Sequence, residues 1–563
     1  MALRKTYGKL LFDKKKNEWV ITEAQPHICI KLKSIFPKIH KTDVVPFFFT
    51  NSAETATDLR WFMERYPFEI SDADLKKIET GYQENLKYVA DVEEILLPDY
   101  HPSPVLLKGI INSEARPYQI KANQLLMKVS SYLLGDDLGL GKTVSAILGF
   151  SNPGSLPALV VCQTHLVKHW VDQIAKFTYY SVHVIKTRKA YTLPHADIYI
   201  FAYSKLQGWI DFFGSGFFKY AVFDEMAELR HSGTNKWMAA VQICKSVTRS
   251  LGLSATPIYN YGNEIFIILN VLKPGCLGKY DDFIREWCTP IGNNKYKVND
   301  GKALGTYLRD NYLFLRRNRE EVGMEMPKVN TIIHEIEYDQ TEVDKEHDLM
   351  LMLAMRVTTG SFTERGEAAR ELDMRLRRVT GIAKARYVAE FCKILLDNGE
   401  PVLLSGWHRD VYAIWAEALK EYNPVWYTGT ESVKVKNESI ASFVGGKTNL
   451  MIISNRSGLG IDGLQERCCN LVVGELDYSP QVHKQLGGRI DRPGQTKPVT
   501  FFYLVIDDGS DPPLLNVLGL KSSQAHSIVN PDLPMGEQYT DDSRIKMMAE
   551  AILKKKTQIQ HEA

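Results

Sequence analysis

The sequence has no feature that would place it outside the ordinary globular proteins. Its 563 residues include only eight cysteines and no CxxC pair, which argues against a disulfide framework and against a zinc ribbon. No stretch approaches the roughly 18 consecutive apolar residues that span a bilayer, so no membrane association is expected. The charges nearly cancel, with 69 Lys and Arg against 67 Asp and Glu. This balance does not indicate a nucleic-acid partner, and it does not exclude one, because a local basic stripe is sufficient for binding.

The composition is that of a folded protein of several domains. Hydrophobic residues make up 44% of the chain and charged residues 24%, both close to globular averages. The length predicts roughly three or four domains. The opening residues carry basic groups without an apolar run behind them, so no secretory signal is expected. A reducing compartment follows from this, and the adjacent Cys468 and Cys469 are expected to pack in the core.

Short apolar, β-branched runs alternate with amphipathic stretches in two parts of the chain. This rhythm is typical of doubly wound domains with a buried parallel sheet. The predicted strands are 158–163, 197–203, 219–225 and 250–256 in the first part, and 401–407, 449–455, 469–475 and 499–505 in the second. The stretch between the two parts is rich in Arg and Glu and is predicted to form helical extensions and a linker.

The first hundred residues show a different hydrophobic pattern. Two apolar runs flank a polar turn at residues 14–17 and predict a hairpin, and a third strand is predicted near residue 47. Ser52 and Ser71 are predicted to cap two helices. The predicted fold class is therefore α/β, with two tandem doubly wound lobes behind a small α+β N-terminal domain. The predicted domains are 1–112, 113–330, 331–515 and a tail at 516–563.

A glycine-rich segment follows an apolar run and opens a helical one. Gly139 and Gly141 let backbone N–H groups curl around phosphate oxygens, which also face the positive end of the following helix. Lys142 is predicted to reach the terminal phosphates and the Thr143 hydroxyl to bind magnesium. Asp136 stands where the strict phosphate-loop pattern has its first glycine, so on this segment alone a glycine-rich turn stays an alternative.

Two adjacent acids follow a later strand and strengthen the prediction of a nucleotide site. Asp224 is expected to hold magnesium, and Glu225 to polarise the attacking water. An exposed strand end is the alternative for such a pair. Upstream of the phosphate loop, Gln119 offers a donor and an acceptor that suit the adenine edge, although on its own it is more typical of an ordinary helix start.

The order of these segments and the residues in them resemble those of the SWI/SNF-like DNA-dependent ATPases of helicase superfamily two. The resemblance covers residues 113–505. DDLGLGKT resembles the family's DEMGLGKT, in which Asp also replaces the first glycine. RPYQ resembles the adenine-reading motif, which adds Arg116 to Gln119. The resemblance implies two RecA-like lobes, ATP and Mg²⁺ as cofactors, and DNA as the partner.

Further first-lobe segments resemble the family, with one departure. LSATPIYN resembles the coupling motif and implies coupling roles for Ser254 and Thr256. LFLRRNREEV resembles the Leu-Arg-Arg segment. Ala227 replaces the histidine that usually follows the two acids, which puts the polar link between the acids and the coupling motif in doubt.

The second-lobe resemblance is most specific at QLGGRIDRPGQ. It implies that Arg489 and Arg492 stabilise charge on the transferred phosphoryl group, and it assigns a coupling role to Gln485. A surface ion pair with a neighbouring acid is the alternative for the arginines. SNRSGLGIDGL resembles the motif that touches both DNA and nucleotide, with Gly460 and Asp462 facing the nucleotide; many family members have Asn where Asp462 stands.

Residues in contact with DNA are less clearly marked, because phosphate contacts need only common side chains. A solvated or structural role is equally compatible with each candidate, and Trp170 is predicted to be a core residue. The candidates are Thr164, His165, Lys168, Ser204, Lys205, Ser405, Trp407 and Arg456.

The expected function is that of an ATP-driven translocase on double-stranded or forked DNA, which remodels junctions or protein–DNA complexes. A strand-separating DNA or RNA helicase and a non-motor ATP-dependent scaffold are the alternatives. The N-terminal domain resembles the substrate-recognition modules of the annealing-helicase branch, and a docking or stabilising role is the alternative. We expect a monomer in the cytoplasm of a bacterium or a virus-infected host cell, or in the nucleus of a eukaryote.

Overall fold

The structure is a computed structural model. It describes residues 5–36, 39–97, 99–102, 115–255, 261–292, 295–456, 461, 463–515, 518, 549–550 and 553, without the side chains of 362 and 363. The predicted boundary at residue 112 lies outside these residues, as does most of the predicted tail. Within the described residues, no helix combines the length and the apolar character needed to cross a membrane.

Eighteen strands are found in the described residues. They are β1 Gly8–Asp13, β2 Glu18–Ala24, β3 Phe47–Thr50, β4 Ser131–Leu134, β5 Ala158–Cys162, β6 Val182–Val184, β7 Ile198–Ala202, β8 Tyr220–Phe223, β9 Arg249–Leu253, β10 Cys288–Gly292, β11 Lys295–Val298, β12 Phe314–Leu315, β13 Val329–Glu335, β14 Val402–Gly406, β15 Val425–Tyr427, β16 Leu450–Ser454, β17 Asn470–Val473 and β18 Val499–Val505.

The same part of the chain forms seventeen α-helices and several short 3₁₀ turns. The helices are α1 Pro26–Ile35, α2 Ala53–Arg65, α3 Asp72–Leu96, α4 Pro117–Val129, α5 Lys142–Leu148, α6 Val167–Phe177, α7 Ile210–Phe213, α8 Asn235–Ser246, α9 Asn263–Leu272, α10 Tyr280–Trp287, α11 Gly301–Asp310, α12 Gln340–Asp344, α13 His347–Thr359, α14 Phe362–Asp397, α15 Arg409–Ala418, α16 Val433–Val444 and α17 Pro480–Gly487.

The chain divides into two compact units, of which the first comprises residues 1–105 and 120–130. Its antiparallel sheet has the order β1-β2-β3, and the predicted hairpin is confirmed. Ser52 accepts a hydrogen bond from the backbone N–H of Thr55, and Ser71 accepts one from that of Asp74, so both predicted caps are confirmed. Trp19 lies fully buried between the sheet and its helices.

The second unit, residues 106–119 and 131–563, contains two parallel sheets. The first has seven strands in the order β12-β4-β9-β8-β5-β7-β6, and the second has six in the order β13-β18-β17-β14-β16-β15. We call the first sheet with its helices lobe 1 and the second sheet with its helices lobe 2. All neighbouring strands in both sheets run parallel, and the strand order reverses within each, so the predicted α/β class with two doubly wound lobes is confirmed.

Each of the eight predicted lobe strands is present, although most end one or two residues earlier than predicted. Except in β18, which is partly half-buried, their side chains are almost wholly buried on both faces, which explains the continuous apolar runs. The stretch between the lobes forms the hairpin of β10 and β11 as well as helices, and it ends in the long helix α14. Cys468 and Cys469 are buried and free, as predicted.

Candidate nucleotide site

The polar residues predicted for the nucleotide follow neighbouring strands of lobe 1. Strand β4 lies beside β9, β9 beside β8, and β8 beside β5. Because these strands are parallel, their carboxyl ends meet at one edge of the sheet. In doubly wound folds that edge is where ligands bind.

Both loop glycines adopt a backbone that other residues rarely adopt. Gly139 has φ +89° and Gly141 has φ +74°. A Cβ atom at Gly141 would lie 2.6 Å from Nε2 of Gln119, and one at Gly139 would lie 3.0 Å from Cδ of Pro493. The backbone conformation therefore favours glycine at both positions, and the close contacts add to that preference.

Lys142 begins helix α5, and its ammonium group turns back onto the loop. Nζ donates to the carbonyl oxygen of Asp136 at 2.6 Å and to that of Asp137 at 3.3 Å. Burial lowers its pKa, while the surrounding acids act in the opposite direction. The half-buried Thr143 is the next residue of the helix. Two residues predicted to touch phosphate and magnesium thus stand side by side at the start of a helix.

Asp224 follows β8 and is held by neighbours on both sides of its carboxylate. Oδ2 accepts a hydrogen bond of 2.8 Å from the indole N–H of Trp170, and Oδ1 accepts one of 3.0 Å from the backbone N–H of Glu225. The Tyr203 hydroxyl donates to the Asp224 carbonyl oxygen. Trp170 is fully buried as predicted, yet it also orients the acid, a role that its place in an apolar helix face concealed.

Glu225 combines an unusual backbone with an unusual acidity. Its φ is +48°, in the left-handed region that costs a residue with a side chain about 1 kcal/mol or more. Burial and the negative charge of Asp224 raise its pKa to about 7, although the positive charges of Lys142 and Arg489 oppose the shift. Such a carboxyl can exchange a proton near neutral pH, as a group that polarises water must.

Asp136, the residue in place of the loop's first glycine, is fully buried and ion-paired. Arg317 donates to Asp136 from its backbone N–H, from Nε and from Nη2. Arg316 reaches Oδ1 of Asp137 at 2.9 Å and the carbonyl oxygen of Gly135 at 3.1 Å. The Leu-Arg-Arg segment therefore braces the phosphate loop. The sequence resemblance predicted the segment but not this role. The available signal was the pair of acids in the loop, Asp136 and Asp137, which phosphate binding alone does not require.

The residues predicted to read adenine make contacts within the protein. Gln119 is buried; its Oε1 accepts from the backbone N–H of Arg116 at 3.0 Å, and its Nε2 donates to the carbonyl oxygen of Leu140 at 3.0 Å. The Arg116 guanidinium donates to the Tyr118 hydroxyl at 3.2 Å. Gln119 thus ties the start of α4 to the phosphate loop, and in this arrangement its amide is engaged by backbone atoms.

The two predicted arginines follow α17 in lobe 2 and lie beside this site. Arg489 is buried, and its positive charge opposes the rise in the pKa of Glu225; burial lowers the pKa of His165, and the charge of Arg489 lowers it further. Arg492 donates from Nε to the Gly488 carbonyl oxygen at 2.8 Å and from Nη1 to the Ile461 carbonyl oxygen at 3.0 Å. Its Cα would lie 3.6 Å from a Cβ atom on Gly139 of the phosphate loop. The structure thus brings both lobes' predicted residues together.

The candidate coupling residues are described only in part. Ser254 is buried at the end of β9, where its backbone N–H donates to the Leu134 carbonyl oxygen, and Gln485 is half-buried in α17. Thr256, Gly460 and Asp462 lie outside the described residues. Glu228, the residue after Ala227, accepts a hydrogen bond of 3.1 Å at Oε1 from Nε2 of Gln163.

The candidate DNA residues differ widely in exposure. Thr164, His165, Lys168 and Ser204 are exposed, and Lys168 forms an ion pair with Asp172 at 2.7 Å. The half-buried Lys205 donates to the carbonyl oxygen of Ile185.

Three candidates lie in lobe 2, and the structure corrects one of them. Ser405 is fully buried in the central strand β14, so a DNA phosphate has no access to its hydroxyl. Trp407 is 40% exposed, and the Arg456 guanidinium lies 5.2 Å from its ring centre. Arg456 is in turn held by Asp477, with Nη2 and Oδ2 2.9 Å apart.

Comparison with known families identifies the chain. Residues 54–380, more than half of its 563 residues, match the family model described as "SNF2-related domain". The chain belongs to the SNF2-related family. The predicted resemblance is therefore confirmed at the level of the family. The matched residues include the phosphate loop, both acids, and Arg316 and Arg317, which brace that loop.

Curated SNF2-type relatives are distant. The chain is 23% identical over 410 residues to the SWI/SNF-related matrix-associated actin-dependent regulator of chromatin subfamily A-like protein 1 of Drosophila melanogaster, which covers 69% of this chain and 52% of that protein. It is 22% identical over 521 residues to the uncharacterized ATP-dependent helicase YqhH of Bacillus subtilis, covering 83% and 88%. It is 23% identical over 423 residues to the DNA annealing helicase and endonuclease ZRANB3 of Bos taurus, covering 71% and 39%.

The chain spans about half the length of the Drosophila relative, and less of several others. Among solved structures, the Sulfolobus solfataricus SWI2/SNF2 ATPase core in complex with dsDNA is 21% identical, with a TM-score of 0.38 and coverage of 76% of this chain and 96% of that one. The fold assignment rests on the two sheets described above.

Proposed function

We propose that the protein is an ATP-dependent double-stranded DNA translocase that remodels DNA junctions or protein–DNA complexes. The observation that carries the proposal is the meeting of two half-sites. Lobe 1 supplies Lys142, Asp224 and Glu225, and lobe 2 supplies Arg489 and Arg492. A site of this composition suits phosphoryl transfer, where catalysis is mostly positioning and charge stabilisation.

The donor set fits magnesium, which prefers oxygen ligands. The Asp224 carboxylate has lone pairs beyond the two that accept hydrogen bonds, and Thr143 offers a hydroxyl. These two residues would hold the ion. When bound, Mg²⁺ supplies positive charge against the nucleotide's phosphate oxygens.

The protein's own groups divide the remaining work. Lys142 binds terminal phosphate oxygens, and Glu225 accepts a hydrogen bond and then a proton from the attacking water. Arg489 and Arg492 stabilise the negative charge that spreads over the transferred phosphoryl group. Because these arginines belong to lobe 2, hydrolysis depends on how the lobes meet, and a DNA backbone held by both lobes can be moved at each cycle.

Two further lines support DNA as the partner. The family match and the names of the relatives, one of which is a DNA annealing helicase, favour a DNA substrate. In lobe 2, Trp407, Arg456 and Tyr478 form an aromatic and cationic cluster, with the guanidinium 5.4 Å from the Tyr478 ring centre. Such a cluster can contact phosphates and stack on bases.

The test measures ATP hydrolysis by the full chain without nucleic acid and with single-stranded DNA, duplex DNA, forked DNA and RNA. Duplex or forked DNA should stimulate turnover most. Lys142→Ala should abolish turnover, and Glu225→Gln should abolish it while ATP still binds. Lys420→Ala, an exposed lysine of lobe 2, is the matched control and should behave as the natural protein does.

Displacement of a third strand from a triplex distinguishes translocation from strand separation. A translocase displaces the third strand while the underlying duplex stays paired. Stimulation by RNA alone, or unwinding of the duplex, would favour the helicase alternative. Normal turnover in Lys142→Ala would refute the proposed nucleotide site.

A further inference from the structure

A single arginine connects the phosphate loop to the loop that carries the catalytic arginines. Arg319 follows the brace segment in lobe 1, and its guanidinium uses all three nitrogens. Nε and Nη2 donate to the carbonyl oxygen of Leu138 at 3.2 and 2.9 Å. Nη1 donates to Oδ1 of Asp491 at 2.7 Å, and Nη2 donates to the Asp491 carbonyl oxygen at 2.7 Å.

This contact differs from an ordinary surface ion pair. The Arg319 and Asp491 side chains are only 18% and 19% exposed, so water screens their attraction weakly. The planar fork of a guanidinium also fixes direction when it binds two oxygens of one residue. An exposed, single-bonded pair would have neither property.

Neighbouring contacts join the phosphate loop to α17 and to the loop that follows it. Nζ of Lys484 in α17 lies 3.2 Å from Oδ1 of Asp137 in the phosphate loop. A Cβ atom at Gly488 would lie 2.9 Å from Cδ1 of Leu138, so the two segments are closely packed there. The two loops are therefore in direct contact where Arg319 joins them.

Asp491 stands between the two catalytic arginines in sequence. Arg492 is bonded to backbone atoms of its own lobe, at Gly488 and Ile461, so its position relative to the phosphate loop depends on where its loop is held. Arg319 holds that loop by both the backbone and the side chain of Asp491.

We propose that Arg319 is a positioning residue, which holds loop 488–493 of lobe 2 against the phosphate loop and thereby aims Arg489 and Arg492 at the nucleotide. The inference rests on the proposed function for its kinetic part, and on the contacts alone for its structural part. In this proposal Asp491 is the residue that accepts the hydrogen bonds of Arg319.

The structural test uses a zero-length carbodiimide cross-link between Lys484 and Asp137 in the nucleotide-free protein, quantified by mass spectrometry. The Lys236–Glu228 pair, 2.7 Å apart within lobe 1, serves as internal reference. Arg319→Ala and Asp491→Ala should each lower the Lys484–Asp137 yield several-fold and leave the reference unchanged. Arg309→Ala, an exposed lobe 1 arginine, should change neither. An unchanged Lys484–Asp137 yield in Arg319→Ala would overturn the structural part.

The kinetic test asks whether Arg319 acts through the arginines. Arg319→Ala should lower DNA-stimulated kcat about 10- to 100-fold, with the KM for ATP within about 3-fold of normal, because misplacement of charge costs rate more than binding. Arg319→Lys should recover only part of the loss, because a compact ammonium group lacks the planar fork that spans the oxygens of both loops.

Double variants separate positioning from general weakening of the fold. In an Arg492→Ala background the further loss from Arg319→Ala should be clearly smaller than in the natural protein, because only Arg489 remains to be misplaced, and Arg319→Ala with Asp491→Ala should be no slower than Arg319→Ala alone. Fully additive losses would overturn the inference. If the natural protein hydrolyses no ATP, the proposed function fails, while the cross-link result still decides whether Arg319 joins the loops.

Discussion

At the scale of single residues, the site depends on side chains that fix the acids as much as on the acids themselves. Trp170 donates to Asp224 from a fully buried position. Removing such a donor leaves a half-buried carboxylate short of a partner, which typically costs about 1–3 kcal/mol.

Trp170→Phe should therefore lower ATP turnover by about 10-fold or more, because Asp224 loses the bond that orients it. Trp209→Phe is the matched control: Trp209 is equally buried in lobe 1, and its indole N–H donates to the Thr187 carbonyl oxygen at 3.3 Å, remote from the acids. Steady-state kinetics and thermal unfolding of both variants provide the measurement. Equal turnover in the two variants would show that Trp170 serves packing alone.

His483 predicts how stability responds to acid. It is buried in α17, its Nε2 lies 2.8 Å from the Asp477 carbonyl oxygen, and burial lowers its pKa. The unfolded chain takes up a proton near the usual value of about 6.5 while the folded state resists it, so the free energy of unfolding should fall as pH drops below that value. His483→Gln cannot take up this proton. Its melting temperature should fall less between pH 7.5 and pH 5.5 than that of the natural protein, and equal falls would contradict the assignment.

At the scale of elements, the phosphate loop is held by a segment distant in sequence. Asp136 is fully buried against Arg317, whose side chain is 12% exposed. Breaking a buried pair by neutralising one partner leaves an uncompensated charge and costs about 3–5 kcal/mol. Asp136 is thus a structural acceptor at the position where the strict phosphate-loop pattern has glycine.

Asp136→Asn should lower the free energy of unfolding by about 3–5 kcal/mol and raise the KM for ATP, because the loop loses its brace. Asp136→Gly, which introduces the residue of the strict phosphate-loop pattern, should be at least as damaging. Asp282→Asn removes an exposed i,i+3 partner of Arg285 and should cost at most about 1 kcal/mol. Denaturant unfolding and ATP titrations check these outcomes, and a stable Asp136→Gly with normal KM would refute the brace.

The same elements show which features of the fold and the site could be predicted from the sequence. Buried strands such as β5 and β8 could be predicted because their side chains are apolar on both faces, and the phosphate loop because its glycines and lysine follow a strand directly. Short strands such as β12 have too few residues to form a pattern, and β13 is mostly exposed. The brace of Arg317 on Asp136 joins residues 181 positions apart, and no local pattern records that pairing.

At the scale of the whole molecule, the two lobes have different roles in one site. Lobe 1 presents backbone groups, a lysine and two acids, while lobe 2 presents cationic side chains held by its own carbonyl oxygens. Under the proposed function, the first set binds the nucleotide and turnover requires both sets, so the rate, rather than the affinity, should respond to anything that changes how the lobes meet.

Arg492→Ala should accordingly lose DNA-stimulated hydrolysis by about 100-fold or more and keep near-normal affinity for ATP, because the guanidinium acts on charge that develops only in the transition state. Arg386→Ala, an exposed arginine on α14, is the control and should retain both properties. Turnover at saturating ATP with duplex DNA, paired with equilibrium binding of a fluorescent ATP analogue, separates the two effects. A fall in affinity with unchanged saturating turnover would mean that Arg492 is a ground-state binding residue, and the coupling of hydrolysis to lobe closure would then need another source.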